Sequence, residues 1–118
     1  MAWRNGSENA DTQTAMVNTG MLTGRDSNGV SEFSWPVANK YLLDCYDVAN
    51  AVTVQTAEGK IYPAMEKRYG SIILFHDILA DGDTADNGYE YLEANFRAII
   101  AFIAARRIGT LTISQLPV

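Results

Sequence analysis

This chain of 118 residues is short of cysteine, histidine, proline and positive charge: one Cys, one His, three Pro and nine Lys and Arg. The single thiol, Cys45, has no second thiol to bridge to, so no disulfide staples the fold from within. There is no HExxH, no CxxC, no GxxxxGK[ST] loop and no strand-linked GxGxxG, so zinc sites, metalloprotease chemistry and phosphate cradles have no sequence support. Nine bases against fourteen acids leave a formal charge of −5. Such a chain lacks the clustered Lys and Arg that bind phosphate backbones by releasing counterions, so neither nucleic acid nor an anionic membrane surface is an expected partner. The longest apolar run, Ala98 to Ala105, falls far short of the roughly 20 residues that cross a bilayer. No Lys-led apolar leader opens the sequence, and the expected location is cytoplasmic, or a virion assembled in a host cytoplasm.

What is present is enough for one domain. Hydrophobic residues make up 47% of the chain, and a length of this order buries roughly two-thirds of its unfolded surface without metal or disulfides. Residues 1–11 are rich in Asn, Ser and charge, with Trp3 as their large apolar group, and such a composition packs poorly against itself. They are expected to form an extended arm, ordered by contact with neighbours, ahead of a single α+β domain over 12–118.

Within that domain, Thr12 to Leu22 and Val30 to Phe33 flank a loop containing Asn28-Gly29, which reads as a long hairpin or arm. Ser34-Trp35-Pro36 resembles a helix start, and Val37, Tyr41, Cys45 and Val48 share one helical face, predicting a helix from Pro36 to about Ala49. Ala51–Thr56 and Lys60–Tyr62 flank Ala57-Glu58-Gly59 and predict a tight hairpin, with Pro63 ending the second strand or sitting on an edge. Ile72 to Phe75 is apolar on both faces, as in a central strand covered on two sides or lying at an interface.

Tyr89, Leu92, Phe96, Ile99 and Ile103 make a helical stripe, with Glu93 and Arg97 as an i,i+4 pair, predicting a helix over Tyr89–Arg107 closed by Gly109. Ile100 and Phe102 lie off that stripe, so the helix is apolar most of the way round and is expected to pack between layers or against another subunit. Thr110–Ser114 reads as a closing strand. The fold class is therefore α+β: a small mixed or antiparallel sheet of hairpins and one central strand, packed with two helices and trailed by the N-terminal arm.

Candidates for chemistry are few. His76, at the end of the predicted central strand, and the adjacent Asp77 are the candidate acid–base residues, although neighbours in a strand point to opposite faces and Asp77 does not naturally orient His76. A lone imidazole satisfied by backbone at a strand end is the commoner arrangement. Six acids fall between Asp77 and Glu93 with no base among them. Asp81, Asp83, Asp86 and Glu93 are the metal candidates, since calcium takes several oxygens from a loop with a glycine bend. Their spacing departs from the EF-hand pattern, with Ala85 in the fifth loop position and Gly88 in the eighth, and acids ahead of a helix also serve as caps. No metal or other cofactor is expected.

Six tyrosines and two tryptophans are many for this length and suit protein interfaces. Trp3, Ile100, Phe102, Leu111 and Ile113 are the candidate interface residues.

Two readings follow. The first is a non-enzymatic structural subunit of a homo- or hetero-oligomer, whose partners are copies of itself or other structural proteins; phage decoration, neck and tail subunits have this general design. The second is a small α+β enzyme or ligand-binding module with a pocket between the long helix and the sheet, lined by His76, Asp77 and Tyr62 or Tyr69. An acidic inhibitor that imitates nucleic acid is a third, though its charge is little concentrated.

Overall fold

The computed structural model describes residues 9–25, 32–34, 36–37, 39–41, 43–66, 69–84 and 88–116. Over these the chain is α+β, with three α-helices and six strands of three residues each, paired two by two.

The first helix, α1, runs Ala10–Asn18 where a hairpin strand is expected. Asn9 and Thr12 make a reciprocal cap: the Asn9 Oδ1 accepts from the Thr12 amide at 2.9 Å and the Thr12 hydroxyl accepts from the Asn9 amide at 2.8 Å. That box nucleates a helix in a stretch whose threonines suggest a strand. At the other end Gly20, at φ +70°, closes the helix with its amide on the Val17 carbonyl, and Met21 bonds back to Met16. Ala10 and Asp11 thus belong to a helix rather than to an arm, and residues 1–8 lie outside the described residues.

The predicted helix from Pro36 to Ala49 does not form over the described part of that stretch. Gly24 donates to the Lys40 carbonyl and Leu43 donates back to Gly24, so this segment pairs as extended chain. It continues into a strand at Tyr46–Val48. Leu43 and Cys45 are buried on either side of half-buried Asp44, an alternation of period two that overrides the helical spacing of Val37, Tyr41, Cys45 and Val48.

In chain order the strands are β1 (Glu32–Ser34), β2 (Tyr46–Val48), β3 (Tyr69–Ser71), β4 (Ile73–Phe75), β5 (Asp77–Leu79) and β6 (Glu90–Leu92). Antiparallel β1 and β3 place Phe33 opposite Gly70. Parallel β2 and β4 place Val48 opposite Phe75, and parallel β5 and β6 place Asp77 opposite Glu90. The apolar run at Ile72–Phe75 does contain a strand, β4, but it has one strand neighbour among the described residues and stays half-buried.

The hairpin expected over 51–62 is instead the helix α2, Val54–Ile61. Its N-cap is Thr53, whose hydroxyl accepts from the Thr56 amide at 3.1 Å. Ala57 and Ile61, four apart, are both buried. Pro63 sits near the start of a 3-10 turn over Tyr62–Met65, where its missing N–H leaves no bond unmade.

The long helix, α3, spans Glu93–Ala105 and follows β6 directly, four residues later than the stripe predicts. It ends in a Schellman arrangement: Arg107 donates to Ala104 and Ile108 donates to Ile103. The left-handed residue is Arg107, at φ +53°, and not Gly109. The closing strand expected at Thr110–Ser114 is absent; a 3-10 turn occupies Ile113–Gln115, and the Gln115 side chain accepts from the Thr112 amide at 2.8 Å.

The core sits where α2, α3, β2 and β6 meet: Val48, Ala57, Ile61, Tyr91, Ile99 and Phe102. Phe75 packs onto it from β4, 5.6 Å from the Tyr91 ring and edge-on to Phe96 at 5.0 Å. Burial of these groups, at roughly 25 cal/mol per Å² of apolar surface, is what holds three unjoined strand pairs to two helices.

Candidate functional site

Beyond the core, where α3 ends, the chain folds back and leaves an open groove of about 330 Å³. Ile103 and Ile108 form one wall, Ile61 and Tyr69 to Ile73 the other, and Leu111, Leu116 and Phe33 flank the mouth. Its volume lies at the low end of the range for ligand sites. The Ser71 hydroxyl already donates to the Lys60 carbonyl, and the Thr112 hydroxyl is bonded within its own turn to Ser114 and Gln115. Among the described residues the lining carries no carboxylate, imidazole, thiol or amine, so it offers an apolar surface rather than groups that move protons.

The one imidazole stands elsewhere. His76, between β4 and β5, places Nε2 2.9 Å from Oδ1 of Asp47 on β2, and its ring meets that of Tyr89 edge-on at 4.9 Å. The carboxylate of the adjacent Asp77 accepts instead from the Ile78 amide at 2.9 Å. Neither His76, Asp77 nor Tyr62 lines the groove; of the four polar groups expected there, Tyr69 is the one present. Asp47 was missed by sequence reasoning, because only the parallel pairing of β2 with β4 brings it beside the end of β4.

The metal candidates are drawn into local roles. Asp81 Oδ1 accepts from the Ala94 amide at 2.9 Å and so caps α3, whose own N-cap residue, Leu92, has no side-chain acceptor. Glu93 pairs with Arg97, as its spacing predicts. Asp83 is exposed in the turn after β5, and Asp86 lies outside the described residues. Among the described residues no group of three or more His, Cys, Asp or Glu is placed to hold a metal ion.

Of the interface candidates, Ile100 and Leu111 are exposed, at 47% and 57%. Phe102 is buried in the core, with the Arg106 guanidinium 3.9 Å above its ring. Ile113 begins the 3-10 turn, and Trp3 lies outside the described residues. Cys45 is fully buried, with the Arg25 guanidinium donating to its sulfur at 2.8 Å. Among the described residues no helix is long and apolar enough to cross a membrane.

Comparison with known proteins finds no family that matches the chain, and no curated protein or solved structure significantly similar to it.

Proposed function

We propose that the chain is a non-enzymatic structural subunit, assembling with copies of itself or with other structural proteins in the manner of small virion subunits of the decoration, neck or tail type. The observation that carries this reading is the balance of apolar surface. Nine hydrophobic residues are buried among those described, whereas ten large ones, including Leu22, Tyr62, Tyr69, Tyr89, Ile100 and Leu111, are exposed. Single exposed apolar groups are ordinary, but this many for so small a buried set, two of them (Tyr69 and Leu111) in the lining of an apolar groove, favours a surface that is covered on assembly. Sedimentation velocity over a concentration series tests the reading. A species larger than 13 kDa that grows with concentration is expected, and a monomer up to submillimolar concentration defeats it for self-assembly.

A second reading, a small enzyme or ligand-binding module, is favoured by one observation: the Asp47 carboxylate holds the His76 imidazole at 2.9 Å, the way a carboxylate orients a general base. The groove counts against it, since His76 faces open surface away from that lining. A folded His76→Ala chain that keeps its biological role removes this reading.

A further inference from the structure

We draw no further inference here: the strongest candidate, the apolar groove at the C-terminal end of α3, has no charged side chain among its described lining residues, and nothing in the structure shows what covers it.

Discussion

His76 bonds Asp47, 29 residues earlier in the chain, and passes over Asp77 beside it. The pair ties the end of β4 to β2 from the outside of the molecule, where the two side chains are 39% and 36% exposed. Water screens such a pair, and holding two side chains in one geometry offsets much of the gain.

A double-mutant cycle on His76→Ala and Asp47→Ala, read by urea unfolding, is therefore expected to return a coupling of at most about 1 kcal/mol. Self-association is expected to be unchanged in either single variant. A coupling of several kcal/mol would mark the pair as part of a buried network instead.

Tyr91 carries a different kind of tension. Its ring is buried on the core side of β6, yet among the described residues its hydroxyl has no hydrogen-bond partner. An unsatisfied buried hydroxyl costs on the order of 1 to 3 kcal/mol, so Tyr91→Phe is expected to raise the urea midpoint by the equivalent of about 1 kcal/mol. Burial also pushes the phenol above its ordinary value of about 10. The native state thus keeps a proton that the unfolded chain has lost, and stability falls as pH rises above about 10. That alkaline component is expected to be missing in Tyr91→Phe, so the gap between the two chains widens between about pH 8 and pH 11. A parent chain that stays the more stable at both pH values shows that a water or a rotated hydroxyl satisfies Tyr91.

How much of this architecture the sequence disclosed depends on whether one signal stood alone. In α3 the apolar stripe and the Glu93–Arg97 pair agree, and a helix forms there, although it begins at Glu93 rather than Tyr89 and ends at Ala105 rather than Arg107. Over Val52–Tyr62 two signals conflict: β-branched Val52, Thr53, Val54 and Thr56 argue for strand, whereas Thr53 is an N-cap and Ala57 and Ile61 are one turn apart. The cap and the buried face prevail, because tertiary burial outweighs intrinsic strand preference. Leu43 and Cys45 alternate inside a stretch that also carries a helical period, and short strands leave too few residues to break such a tie. Of the groove's lining the sequence points to Tyr69 alone as a pocket residue, since Phe33, Ile61, Ile103 and Leu111 converge on it only after the strands have paired.

The same reasoning gives two substitutions of opposite kind. Gly59 lies inside α2, exposed, with open space where a Cβ would stand. Gly59→Ala is expected to stabilise by about 0.5 to 1 kcal/mol. Arg107 occupies the left-handed position that closes α3, which strains any residue with a Cβ, and Arg107→Gly is expected to stabilise by about 1 kcal/mol. Thermal unfolding of both variants and of the double variant should show additive gains, because the sites lie in different elements. Loss of stability on Arg107→Gly would show that the guanidinium makes a contact worth more than the backbone strain.

Asp81 caps α3 from 13 residues upstream, and thereby ties the turn after β5 to the helix. Asp81→Ala removes both the acceptor and a negative charge at the helix start, for an expected loss of about 1 to 2 kcal/mol. Asp81→Asn keeps an acceptor and forfeits only the charge, so its loss should be nearer 0.5 kcal/mol. Calcium is expected to leave the melting temperature of the parent chain unmoved, whereas a rise would reinstate the acidic turn as a cation site.

Phe33 and Gly70 face one another across the β1–β3 pair, with the aromatic ring laid over the glycine where a Cβ would otherwise stand. An aromatic covering a cross-strand glycine fixes register and shields the backbone, and here the same ring forms part of the groove. Gly70→Ala forces the ring aside and is expected to cost about 1 to 3 kcal/mol. In a chain already carrying Phe33→Ala the obstruction is gone, and alanine then has the lower conformational entropy to lose, so Gly70→Ala should become neutral or stabilising by up to about 1 kcal/mol. This change of sign between backgrounds, measured by urea unfolding, is specific to a ring-on-glycine contact. Equal losses in both backgrounds would place the constraint on the Gly70 backbone, and the groove would then owe its shape to the β3 conformation rather than to Phe33.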